Sequence, residues 1–259
     1  MFDSGFGGLT VARATIDLCP DQDLVYFGDA ARYPYGTKSS QEVRDHSLQI
    51  AAHLRDNYDM KMLVVACNTA AAVALAELRD MLDIPVVAVI EPGVRAAAAV
   101  TRSGRVGVIG TVGTVASRAY ERAGMELAPT AEWAVAACPG FVEFVERGEL
   151  EGPQVRLLAE RLLAPIREAG VDTLLLGCTH YPYLARTISE VMGRDVVLVS
   201  SADETAFEIR DLLIEDRSPG RSGRHTFVSS GDANAFERVG RQLFGRELLG
   251  AEEHRWETS

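Results

Sequence analysis

The chain has 259 residues, 47% of them hydrophobic, and a formal net charge of −11, which suits one large domain or two of about 100–130 residues. The acidic balance argues against a nucleic-acid footprint, which needs clustered Lys and Arg, yet it leaves room for an anionic small molecule in a locally positive or amide-rich pocket. No basic segment leads into an apolar run at the start, and no apolar run is long enough to span a bilayer, so a soluble cytoplasmic protein with no membrane or nucleic-acid partner is expected. In chain order, the glycine-rich turn "DSGFGGLTV" (3–11) opens a helix and "DLVYFGD" (23–29) reads as a buried strand. A Ser39/Glu42 capping box begins a helix to residue 56 that places Val43, Ser47, Ile50, Ala51 and Leu54 on one face. Strand 62–67, helix 69–82, strand 84–90 and helix 92–102 follow. After strand 105–110, a second glycine turn, "VIGTVGTVAS" (108–117), opens a helix over 114–124, and then comes strand 132–138. Helices near 141–147 and over 153–169 lead into strand 172–178; helix 183–192, strand 195–200, helix 202–215, strand 225–229 and helix 232–243 complete the series. The stretch "RSPGRSG" (217–223) reads as a surface linker.

Continuous apolar strands alternating with helices predict parallel sheets covered on both faces, the α/β class. The chain also repeats itself. "LVVACNTAA" (63–71) and "LLLGCTHYP" (174–182) each end an apolar strand in a cysteine with a threonine close behind. Asp3 lies 64 residues before Cys67, and Thr111 lies 67 before Cys178, each pair spanning a glycine turn and a Cys-bearing strand end. Two similar, pseudo-symmetric α/β domains explain this better than one long sheet, with the site in the cleft between them. The expected division is discontinuous: residues 1–93 with 206–259, and residues 94–205. Ligands sit beyond the carboxyl ends of parallel strands, so the arrangement brings two thiols to one cleft.

With no secretion signal, Cys19, Cys67, Cys138 and Cys178 are expected to be free thiols. A zinc site from Cys67, Cys178 and His180 lacks the paired Cys spacing of structural zinc, and neither cysteine has the nearby partner of a redox disulfide. Lys38 and Lys61 are the only lysines, and neither has the setting of a Schiff-base amine. No metal and no organic cofactor is therefore expected. A lone nucleophile with His180 as base leaves the second cysteine motif without a use. Proton transfer at one carbon from opposite faces uses both: one thiolate removes a proton while the opposite thiol returns one. Asn68, Thr69 and Thr179 supply neutral hydrogen bonds and helix-start amides for carboxylates, and Ser4 with the Gly5–Gly8 amides can hold another. The glycine turn matches neither dinucleotide nor P-loop spacing. His180 can polarise a thiol, Asp3 can polarise or accept from Cys67, and "YPYG" (33–36) can close a pocket.

"FDSGFGGLTV", "YPYG", "ACNTA", "ACPGFVEFVE" and "GCTHYP", in this order over nearly the full length, closely resemble the glutamate racemase family. The resemblance implies a cofactor-independent two-domain enzyme that supplies D-glutamate for peptidoglycan. It implies Cys67 and Cys178 as acid/base thiols, assisted by Asp3 and His180. It also implies glutamate contacts from Asp3, Ser4, Tyr35, Gly36, Asn68, Thr69, Thr179 and His180, with Glu146 nearby and Cys138 structural. Thr179-His180 resembles the glutamate type, the aspartate type having Thr-Glu there; an aspartate racemase is the alternative, and an amino-acid binding protein on the same scaffold is the non-catalytic rival. The oligomeric state is not legible, with a homodimer among the expectations. Family members carry a strand ahead of the first glycine turn, whereas only Met1 precedes Phe2 here, so that strand is expected to be missing or cut short.

Overall fold

A computed structural model describes residues 1–216, 220–245, 248 and 250–256. Its first sheet contains β1 (Phe2–Asp3), β2 (Leu24–Gly28), β3 (Leu63–Val65), β4 (Val86–Ala88), β9 (His225–Ser229) and β10 (Glu252–Glu253), in the order β10-β9-β2-β1-β3-β4. The second contains β5 (Arg105–Gly110), β6 (Glu132–Ala137), β7 (Thr173–Gly177) and β8 (Val197–Ser200), in the order β6-β5-β7-β8. Every pairing is parallel. The inner four strands of the first sheet, β2-β1-β3-β4, thus repeat the order of the second. Apolar side chains fill both faces: β3, β4 and β7 are buried throughout.

The helices are α1 (Leu9–Leu18), α2 (Ser40–Asn57), α3 (Asn68–Met81), α4 (Ile90–Val100), α5 (Val112–Ala116), α6 (Ala119–Leu127), α7 (Phe141–Glu146), α8 (Pro153–Glu168), α9 (Ala185–Met192), α10 (Ser201–Leu212) and α11 (Ala233–Leu243). The Ser39 capping box is formed, and Val43, Ser47, Ile50, Ala51 and Leu54 are the buried face of α2. The helix expected over 114–124 is instead two. Ser117 Oγ bonds the Thr114 carbonyl and accepts from the Ala119 amide, and Arg118 takes φ 57°. A left-handed residue cannot continue a right-handed helix. Strand β4 also ends early, because α4 begins at Ile90 and holds Pro92 in its first turn, where no amide is needed.

The strand expected to be missing or cut short is present as two residues. Phe2 and Asp3 pair with both β2 and β3. Met1 extends the ladder, its carbonyl accepting from Phe27 and its amine donating to Val25. Residues 217–219 of the expected linker lie outside the described residues; its remainder is docked, with Gly223 N donating to the Pro20 carbonyl and Arg221 bound to Asp23. The two sheets share a core: Phe2, Val65, Val87 and Val94 belong to the same buried cluster as Val106, Val108, Leu175 and Val199. A second cluster around Phe141, Leu163, Leu176 and Tyr181 covers the other face of the smaller sheet. The expected domain boundaries, 93/94 and 205/206, fall inside α4 and α10, helices that pack on each other.

Candidate active site

In each four-strand unit the chain leaves the first strand toward one side of the sheet and the third strand toward the other. The crevice at such a reversal is where ligands settle in parallel sheets. β1 and β3 flank it in the first sheet, β5 and β7 in the second. The residues that follow them, Ser4, Cys67–Thr69, Thr111–Val112 and Cys178–Tyr181, line a single cleft. Loop 33–37 and segment 138–143 add the remaining walls, including Tyr33, Tyr35, Gly36, Cys138 and Glu143.

Cys67 is the N-cap of α3 and is buried, with its thiol 3.7 Å from Ser4 Oγ. Burial first, and then the neighbouring Asp3 charge, pushes the Cys67 thiol up to about 12. Cys178 is also buried, its Sγ 3.9 Å from His180 Nδ1. On the opposite side of that ring, Nε2 lies 3.4 Å from Glu146 Oε1, within ion-pair reach but without hydrogen-bond alignment. Burial works to lower the His180 pKa; the contact with Cys178, the Glu146 carboxylate beside Nε2 and the Asp3 charge outweigh it and hold the imidazole up at about 10. Cys138, expected to be structural, is buried yet lines the cleft, and burial pushes its thiol up to about 12.

Asp3 and Glu146 stand off the wall formed by the other expected contacts. Asp3 is fully buried: its Oδ1 accepts from Gly8 N at 3.2 Å and from Thr179 Oγ1 at 3.5 Å, while Oδ2 has no partner among the described residues. Burial raises its pKa against the opposing charge of His180. Tyr35 lines the cleft, but its hydroxyl is bound to Asp29. Asn68 is held through Oδ1 by the Tyr120 hydroxyl at 2.6 Å, and its buried Nδ2 has no partner among the described residues. That leaves an amide donor in the cleft wall, suited to a carboxylate.

Several of these contacts bridge the two halves. Thr69 Oγ1, at the start of α3, lies 3.0 Å from Thr111 Oγ1 and 3.2 Å from Thr114 Oγ1, so three hydroxyls tie α3 to α5. Tyr120 and Thr114 were not read from the sequence as site residues; isolated hydroxyl residues on helices carry no spacing signal. The glycine turn has a use unrelated to phosphate. A Cβ on Gly7 would collide with Thr179 Oγ1 and His180, and one on Gly36 would stand 2.8 Å from Thr111 Cβ. Glycine at these two positions lets the first half close onto the second-half residues that carry the site.

A family profile described as Asp/Glu/Hydantoin racemase matches residues 9–208. Glutamate racemase of Geobacter metallireducens is 51% identical over an alignment covering 96% of this chain and 93% of that protein. The crystal structure of glutamate racemase isoform RacE1 from Bacillus anthracis superposes with TM-score 0.92 at 39% identity, covering 99% of this chain and 96% of that one. Glutamate racemase from Francisella tularensis in complex with D-glutamate gives TM-score 0.90 at 32% identity, covering 98% of this chain and 95% of that one. With matching sequence, matching fold and two thiols at the ends of equivalent strands, this chain belongs to the Asp/Glu/Hydantoin racemase family, among its glutamate racemases, and is an isomerase acting on amino acids.

Proposed function

We propose that this enzyme interconverts L- and D-glutamate, with Cys67 and Cys178 exchanging the α-proton from opposite faces. One observation carries the reading: the two thiols reach the same cleft from the carboxyl ends of corresponding strands in two four-strand units of the same strand order. A planar carbanion formed between them is reprotonated from either side, so the configuration inverts when the removing and returning sulfurs differ. The surroundings of the two sulfurs support a division of labour. Cys67, pushed up to about 12, is a thiol near neutral pH and can deliver a proton. His180, held up at about 10, presents a cation 3.9 Å from Cys178, the counter-charge a sulfur anion needs. Once Cys67 has given its proton, its thiolate is the base for the reverse reaction. Asn68 Nδ2, Ser4 and Thr179 at the wall are suited to the substrate carboxylates. In a cell wall-building bacterium, the D-glutamate formed would serve peptidoglycan.

The test is racemisation in heavy water. Early product should carry solvent deuterium at the α-carbon while recovered substrate stays largely protonated, since each sulfur exchanges only with the face it guards. Cys67→Ala and Cys178→Ala should each lower turnover by on the order of 10²–10⁴-fold or more. Deuterium entering unreacted substrate as fast as product, or one alanine variant with near-normal turnover, would exclude the two-base mechanism. Turnover of aspartate at a rate equal to or above that of glutamate would overturn the substrate assignment.

A further inference from the structure

Behind loop 33–37 lies a buried carboxylate that the proton-transfer scheme does not use. Asp29 ends the first sheet's strand β2, has no exposed surface, and gathers four donors from three parts of the chain. Ser230 Oγ at 2.6 Å and Trp256 Nε1 at 3.0 Å donate to Oδ1; Arg32 Nε at 2.8 Å and the Tyr35 hydroxyl donate to Oδ2. The Asp29 amide donates to the Asp3 carbonyl at 3.0 Å, so this carboxylate sits one backbone step from the Cys67 side of the site. Arg32 is held in turn. Its Nη1 donates to Gln49 on α2, and its guanidinium lies 4.2 Å over the Trp256 ring. Trp256 comes from the C-terminal segment, which adds β10 to the sheet edge and continues the ladder through His254 N to the Ser229 carbonyl. Its ring also packs on Phe27 and His254.

Four donors satisfy the four lone-pair sites of a carboxylate, and a fully buried, fully paired carboxylate holds its partners rigidly. Among those partners only Tyr35 faces the cleft. We infer that the C-terminal segment is a latch: Trp256, through Asp29 and Arg32, is a positioning residue that holds Tyr35 and its neighbours 33–37 in the shape that receives the substrate. Trp256, just after β10, thereby sets the geometry of a wall more than 200 positions earlier in the sequence. Loss of the latch is expected to weaken substrate binding more than proton transfer, because the hydrogen-bond partners of the two sulfurs are Ser4 and His180 and not Trp256, Asp29 or Arg32.

The test compares Trp256→Phe and Trp256→Ala with the parent enzyme, well below their unfolding temperatures. Phenylalanine keeps a ring over Arg32 and loses the N–H donor; alanine loses both. For Trp256→Ala, KM is expected to rise about tenfold, the scale of one hydrogen bond to a charged group, with kcat changing less than about threefold. Trp256→Phe should fall between. This kinetic arm rests on the racemase reading, so the second arm does not use activity. Amide hydrogen exchange of the unliganded protein should quicken at least tenfold across residues 33–38 in Trp256→Ala, with β3 and β7 unchanged. Exchange at 33–38 equal to the parent's, or acceleration spread evenly over the molecule, would overturn the latch. An unchanged KM in a variant of an active parent would also overturn it. A parent inactive on glutamate, with faster local exchange in the variant, would remove the racemase reading and leave the latch standing.

Discussion

Asp3 is fully buried beside the proposed proton-transfer groups, at a cost to the fold. Its Oδ2 is buried without a partner, and burial raises its pKa from the ordinary 3.8. A raised folded-state pKa means the protonated carboxyl favours folding. That contribution is complete below about 3.8 and is lost as pH rises through the folded value. The ionised carboxylate therefore opposes folding, and it is this form whose charge acts on Cys67 and His180. Asp3→Asn keeps an acceptor for Gly8 N and removes the unpaired anion. It is expected to unfold at the same or a higher temperature than the parent near neutral pH, with the difference shrinking as pH is lowered toward 4, and to racemise roughly tenfold or more slowly. Thermal unfolding across that range alongside turnover checks both halves; a variant less stable near neutrality would show that the charge is stabilising.

At the scale of elements, the first glycine turn and loop 33–37 work by what they leave out. Gly7 lies against Thr179 and His180, and Gly36 against Thr111, so each marks a contact between a first-sheet loop and a second-sheet strand end. A methyl group in such a place costs about 1–3 kcal/mol unless the halves separate. Gly7→Ala is expected to open the cleft on the Cys178 side, moving His180 away from the sulfur and lowering kcat by more than it lowers stability. A crystal structure of the variant, or its kcat compared with its unfolding temperature, would decide this. Parent-like turnover would mean that the turn has slack. The secondary-structure reading was sound wherever apolar periodicity was long, as in α2 and β5. It failed at residues 117–118, where one serine side chain and one left-handed backbone residue split a helix, and at β1 and β10, two-residue strands too short for any period.

For the molecule as a whole, two sheets that share a four-strand order need not behave as two independent bodies. The largest buried cluster runs from Phe2 and Val65 across α4 to Val106, Leu175 and Val199, and α4 and α10 pack together at the junction. Loss of either sheet strips apolar cover from the other. A single calorimetric transition is expected, with calorimetric and van't Hoff enthalpies equal; two resolved transitions, or a stable intermediate retaining one sheet, would refute it. At the expected boundaries the chain crosses from one sheet to the other within α4 and α10 instead of through a loose linker.

By itself the sequence determined the α/β class, the duplicated plan, the pairing of Cys67 with Cys178 and the neighbourhood of Ser4, Asn68, Thr69, Thr179 and His180. These follow from local patterns: apolar runs ending in the same residues, and turns opening helices. Tertiary structure alone decided what joins the halves. The Thr69–Thr111–Thr114 hydroxyl cluster, the Tyr120 bond to Asn68 and the placing of Cys138 in the cleft wall each rest on residues distant in sequence. So does the four-donor cage around Asp29, which draws on Arg32, Tyr35, Ser230 and Trp256. A single hydroxyl, amide or ring has no period and no fixed spacing to its partner, so its role exists only once parallel strands have brought both ends of the chain to one edge.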